Sequence, residues 1–192
     1  MYDPKLGDLI VETLTRKDLE IKEDRLETLF QDFVACAVLG EKHYGVSTQV
    51  LSSGITERAV TLGLYASALD MDDVDWRMLT HPGSIIWPIA TSIGIERGLS
   101  LKEVYEAAAY GYRTGATIAN FFGPIHRSKW HATSTSGAFA AATTAAIALG
   151  LSKKQHLDAL HICAMNIGGS SQAGFERKGA AQTNRAAAIS LG

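Results

Sequence analysis

Cysteine is scarce: Cys36 and Cys163 are the only two in 192 residues. Two distant thiols make neither a disulfide framework nor a Cys-x-x-Cys metal motif, and they suit a reducing compartment. An excess of charge of one sign is also missing. The formal net charge is -2, which argues against nucleic acid or an anionic membrane as the main partner. The opening residues, MYDPKLGDLI, lack a basic segment followed by an apolar one, so no secretory signal is expected. A long run of Leu, Ile, Val and Phe is absent too. The uncharged stretch 132–152 is long enough to span a bilayer. It consists mostly of Ala, Thr, Ser and Gly, which gain little from lipid. A helix buried among other helices is the expectation, with no membrane partner and a cytoplasmic location. No strand-like alternation persists, and there is no internal repeat and no low-complexity tract.

What is present is helical periodicity in an ordinary globular composition, 46% apolar and 20% charged. The chain is long enough for one domain with a sizeable core. Lys5–Thr15 reads as a short amphipathic segment. Asp24–Leu39 places Leu26, Leu29, Phe30, Phe33, Val34 and Val38 on one face behind an acidic front end. Gly40–Gly54 reads as loop, Thr56–Ala68 as helix, Asp70–Gly83 as an irregular acidic stretch and Ser84–Arg97 as helix. Ser100 with Glu103 forms a capping box that opens a helix to about Asn120, with a turn at Gly123-Pro124 beyond it. Ser136–Leu149 is an Ala-rich helix whose small side chains allow close neighbours, so it belongs at the centre of a bundle. A second box, Ser152 with Gln155, opens Ser152–Asn166, and Thr183–Leu191 reads as a further helix. The predicted fold class is all-α, a multi-helix bundle.

Three polar stretches lie between these helices: Leu69–Asp75 with Thr80–Gly83, Gly123–Thr133, and Gly168–Ala181. Taken singly, each reads as a solvated turn or a set of caps. Asp72 and Asp73 lack the spacing and closing Glu of an EF-hand. His126 and His131 lack the i, i+4 spacing of a His-Glu-x-x-His zinc helix. His43, His156 and His161 are given no role. Taken together, the stretches hold the residue types that proton removal beside a carboxylate demands: a base and acid pair, and cations aimed at substrate carboxylates. His81, His131 and Lys178 offer exchangeable protons and positive charge. Asp70 is placed to orient a histidine and set its tautomer.

These residues also carry a resemblance. Ala68-Leu69-Asp70-Met71-Asp72-Asp73 followed by Thr80-His81-Pro82-Gly83 resembles the signature of the MmgE/PrpD family. So do Trp130-His131-Ala132-Thr133 leading into Gly137-Ala138-Phe139-Ala140-Ala141-Ala142, Gly150-Leu151-Ser152 with Gln155 and Ala159-Leu160, Lys178 with Ala186-Ala187-Ala188, and Gly111-Tyr112. The blocks run in order from about Lys5 to Gly192. Ser67, where many members carry His, departs from the pattern. Arg113 follows Gly111-Tyr112 in place of an acid, the loop Val74–Leu79 is about one residue longer than in decarboxylase-like members, and Gln182 stands near the final Ala run where Gly is common.

The resemblance implies a helical domain over 1–192 that is truncated or split from a smaller α+β lid domain. It implies a homodimer, an active site between helical domain and lid, and no metal or organic cofactor. The implied chemistry is dehydration, decarboxylation or epimerisation of a small di- or tricarboxylic acid, the work of a lyase or isomerase, with a lid in cis or on a separate chain. Carried over by position, His81, His131, Lys178 and Asp70 are the expected catalytic residues; Asp73, Thr80, Lys129 and Arg177, in the same polar stretches, are the expected substrate-binding ones. The alternative expectation is a non-catalytic helical subunit for oligomerisation or carboxylate binding.

Overall fold

The computed structural model describes residues 11, 12, 14, 21–44, 53–174 and 180–192. Seven α-helices run through them: α1 Glu23–Tyr44, α2 Ile55–Ser67, α3 Gly83–Arg97, α4 Leu101–Arg127, α5 Ala132–Ala148, α6 Lys153–Asn166 and α7 Ala180–Leu191. A 3-10 turn, Ser171–Gly174, precedes α7. No strand occurs among the described residues, only isolated bridges between Asp75 and Thr80 and between Trp130 and Ser170. The class is all-α, as the periodicity predicts. Among the described residues no helix is long and apolar enough to cross a membrane.

Two helices form the centre. Nearly every residue of α3 from Gly83 to Gly94 is buried, and so is nearly every residue of α5 from Ala132 to Ala146. A helix buried on all sides needs no polar face, and neither shows amphipathic periodicity. Their hydroxyls do not break the packing: Ser136 and Thr144 donate back to the carbonyls of Ala132 and Ala140, one turn earlier. α4 and α3 lie against α5, α2 against α3, and α7 against α2, α3 and α5. Ile85, Ile89, Ile93, Ala141, Cys163 and Ile189 share one apolar cluster, while Phe33, Trp87, Tyr105 and Ala140 share a second.

Both predicted capping boxes are present. Ser100 accepts from the Glu103 amide and Glu103 accepts from that of Ser100; Ser152 and Gln155 repeat the arrangement. Several boundaries differ from expectation, among them the start of α7, which lies at Ala180 rather than Thr183. α1 continues past Leu39 to Tyr44 because Gly40 lies against the Tyr65 backbone of α2, where a methyl group would collide. The helix opened by Ser100 runs two residues past Asn120 and breaks at Gly123, whose φ of 66° suits glycine, so the predicted Gly123-Pro124 turn is present; a short helical stretch then carries α4 on to Arg127. α5 begins at Ala132 rather than Ser136, because the small polar residues at its start are buried inside the helix. Of Lys5–Thr15, Val11, Glu12 and Leu14 are described; they are helical, with Val11 and Leu14 in the core. The expected loop beyond Tyr44 lies outside the described residues as far as residue 52.

Candidate active site

The acidic stretch between α2 and α3 folds back on itself. Asp70 adopts φ 53°, which Asp tolerates better than most residues. The amide of Asp75 donates to the Thr80 carbonyl (2.9 Å), and Arg77 forks onto the Asp75 carboxylate (3.1 and 2.9 Å), closing a turn that returns the chain to His81. The amide of His81 donates to Thr133 Oγ1 (3.1 Å), which holds the histidine at the N-terminal end of α5. His131 is the N-cap residue of that helix. Its position is set by a short pairing of 129–131 with 169–171: His131 N donates to Gly169 O (2.9 Å) and Ser171 N to Lys129 O (3.0 Å).

One cation organises the polar groups. Arg185 on α7 is 2% exposed. Its Nη1 donates to both carboxylate oxygens of Asp72 (3.2 and 3.1 Å) and its Nη2 to Asp70 Oδ1 (3.0 Å). Asp72 is buried, and its Oδ1 lies 3.3 Å from His81 Nδ1, whereas Asp70 Oδ1 lies 3.9 Å from His81 Nε2. Asp72, not Asp70, is therefore the carboxylate that orients the His81 ring. The Asp72 carbonyl also lies 3.3 Å from Nδ1. Two acceptors at Nδ1 place the proton of the neutral ring there and leave Nε2 free to take or give one.

The charges in this cluster separate the two histidines. Burial pushes His81 down, but the hydrogen bond and charge of Asp72, with Asp70 beside it, outweigh burial and Arg185 and hold the imidazole above its usual value. Burial, then the charges of Arg185 and His81, push His131 down to about 4 against a weaker pull from Asp70. Its Nδ1 is buried without a hydrogen-bond partner. For Asp72, burial works upward, yet His81, Arg185 and Ser84 together hold it below the ordinary carboxylate range.

A second network braces the first. Asp73 accepts from the amide of Gly83 (2.7 Å) at the start of α3 and from the Tyr112 hydroxyl (2.9 Å), and Tyr112 in turn accepts from Trp87 Nε1 (2.9 Å). Burial raises Asp73 to about 6 although both hydrogen bonds oppose it, and burial beside Asp73 raises Tyr112 well above its usual value. Both Asp73 oxygens are thus engaged within the protein, so this residue fixes the loop from behind rather than facing a ligand.

Of the residues singled out from sequence, the structure brings Asp70, His81 and His131 together. Thr80 is buried in the turn below them, and Lys129 is exposed. Lys178 and Arg177 lie outside the described residues. Arg185, Asp72 and Tyr112 were not among the expected site residues. The carboxylate oxygens of Asp70 and Asp72 and a ring nitrogen of His81 lie within 4.8 Å of one another, a spacing that a metal ion could bridge, but Arg185 already supplies the positive charge there. A search of curated proteins returns no match. The model of the MmgE/PrpD N-terminal domain matches residues 45–190, most of the chain and every residue of the cluster. This chain belongs to the MmgE/PrpD family, as its N-terminal helical domain.

Proposed function

We propose that the chain forms one wall of an acid–base site that moves a proton on a small di- or tricarboxylic acid, in a dehydration, decarboxylation or epimerisation. The observation that carries this reading is a cluster in which His81 Nδ1 lies 3.3 Å from Asp72 Oδ1 while the Nδ1 of His131 is buried without a partner, so that Asp72 holds His81 up and burial with Arg185 holds His131 down. Environments that drive two such groups apart divide their labour. His81 Nε2, with Nδ1 anchored on Asp72, takes or returns the proton, its basicity raised by that carboxylate. His131 stays uncharged and offers an N–H to the oxyanion that develops as the proton leaves, a role suited to a neutral imidazole.

This wall carries Asp70, Asp72 and Arg185, a net negative charge that protonation of His81 only cancels, so it holds no surplus positive charge for a polyanion. The remaining counter-charge is assigned to Lys178 and Arg177, with Lys129 at the rim. Exposed Trp76, Leu79, Phe121, Ile125 and Trp130 flank the same segments. Apolar groups around a charged cluster fit a surface that another domain covers to exclude water, so activity is assigned to the chain together with a lid in cis or trans.

The test is turnover of 2-methylcitrate, cis-aconitate and iminodisuccinate by a lid-containing form. Expected are a 10²–10⁴-fold fall in kcat for His81→Gln and about 10²-fold for His131→Gln. With His81 as base, kcat/KM drops as pH falls through a pKa above the ordinary histidine value. No turnover of any of the three acids, or turnover indifferent to both substitutions, overturns the reading in favour of a non-catalytic helical subunit.

A further inference from the structure

Arg185 presents an incomplete fork. Its Nη1 is fully used by Asp72 on the buried side. Its Nη2 is held by a single oxygen of Asp70, and its Nε, on the same edge of the guanidinium, is buried with no hydrogen-bond partner. A guanidinium edge of this kind is shaped to donate two parallel hydrogen bonds to one carboxylate. A buried donor of this kind, on a side chain 3% exposed, calls for a water or a ligand group to complete it. The group that half-fills the edge is poorly held. The Asp70 side chain is 68% exposed, bonds Arg185 through one oxygen, and hangs from a backbone at φ 53°. Asp70 covers the outer edge of a cation that is otherwise sealed from solvent.

We propose that Arg185 is a carboxylate-binding residue of the site and that Asp70 is a resident stand-in, displaced when a ligand carboxylate takes the Nε–Nη2 edge. The proposal deepens the proton-transfer reading above and rests on it. Asp72 stays in place during the exchange and keeps Arg185 neutralised from behind, so a monocarboxylate group replaces another at no change of local charge. The incoming carboxylate lands beside His81, whose Nε2 lies 3.9 Å from the oxygen that leaves. A carbon next to that carboxylate would then face the base proposed to deprotonate it. Asp70, swung outward, becomes free to re-enter when product departs.

Propane-1,2,3-tricarboxylate, which cannot react, is the probe. Its affinity at pH 7 is measured by calorimetry for the wild type, Asp70→Asn and Arg185→Lys, in the same lid-containing form used for turnover. The Nε–Hε resonance of Arg185, assigned by its loss in Arg185→Lys, is followed by NMR. Removing the competing carboxylate in Asp70→Asn is expected to tighten binding about five- to tenfold, and Arg185→Lys to weaken it at least tenfold. The Hε resonance is expected to move downfield on binding as the donor gains a partner. Asp70 is at the surface, so its variant folds even if Arg185→Lys does not, and the sign of its effect decides. Binding that weakens or stays the same in Asp70→Asn, with an unmoved Hε signal, overturns the stand-in role while leaving the acid–base reading intact. Absence of binding in all forms, together with absence of turnover, overturns both.

Discussion

His131 and Asp73 have comparable pKa shifts and opposite consequences for stability. An unfolded histidine titrates near its ordinary value of 6.5, and folding lowers His131 to about 4. Between these values the unfolded chain binds the extra proton, so His131 contributes stability that is fully present above about pH 6.5 and is lost as pH falls toward 4. Asp73 is raised from 3.8 to about 6. Here the folded protein holds the extra proton, and the stability Asp73 contributes is present below about pH 4 and lost as pH rises through 6. The two slopes offset each other in the same window. Replacing His131 by Gln, which stays neutral, uncovers the Asp73 slope. Urea denaturation at pH 4 and pH 7 should show the wild type gaining on the order of 2–3 kcal/mol relative to His131→Gln as pH rises. An unchanged difference would mean that His131 is not held neutral by its surroundings. Histidine as a residue type was legible in the sequence. Its protonation was not, because that depends on Arg185 and His81, which are brought close only by the fold.

Helix ends that rest on local chemistry were readable, and helix ends that rest on packing were not. Ser100 with Glu103 and Ser152 with Gln155 satisfy their own orphan amides within a few residues, so the pattern of letters carries the physics. Gly40 shows the contrary case. Glycine weakens an isolated helix, and a loop there was the natural expectation. In the bundle its missing Cβ lets α1 cross the backbone of Tyr65 in α2, and the helix runs on for another turn. Gly40→Ala tests this crossing. In a solvated helix the change should stabilise by up to about 1 kcal/mol. Here the methyl group meets rigid backbone, so α1 must be displaced and the cost is about 1–3 kcal/mol or more. The denaturation midpoint should fall; a rise would place the contact elsewhere. The start of α5 is hidden in the sequence for a related reason. Thr133, Ser134, Thr135 and Ser136 resemble a polar loop, yet all four are buried: Thr133 Oγ1 accepts from the His81 amide, and the other three hydroxyls donate to the carbonyls of Ala132, Gly168 and Asn184.

Across the whole molecule, the site exists only where distant parts of the chain close on one another. Arg185 reaches Asp72 over a separation of 113 residues, and nothing near Arg185 in the sequence marks it, since it stands before an Ala run that reads as ordinary helix. Its pair with Asp72 joins α7 to the loop between α2 and α3 with both side chains almost wholly buried, at 3% and 2% exposure. Such a pair stabilises little beyond well-packed apolar groups, but breaking one half leaves the other charge without water or partner. Arg185→Met should therefore cost about 3–5 kcal/mol. Asp72→Asn in the same chain removes the stranded charge, and the double variant should recover about half of that loss or more, a coupling that a double-mutant cycle in urea measures directly. The pH dependence gives an independent reading. Asp72 is held below the ordinary carboxylate range, so it contributes stability above about pH 4 that is lost as pH falls through its folded value. Without Arg185 part of that contribution disappears, so the penalty of Arg185→Met is greatest at neutral pH and shrinks on acidification as Asp72 takes up a proton. A penalty that is flat with pH, or additive with Asp72→Asn, would show that α7 is held by Ala188 and Ile189 in the core and that the ion pair does not lock the site together.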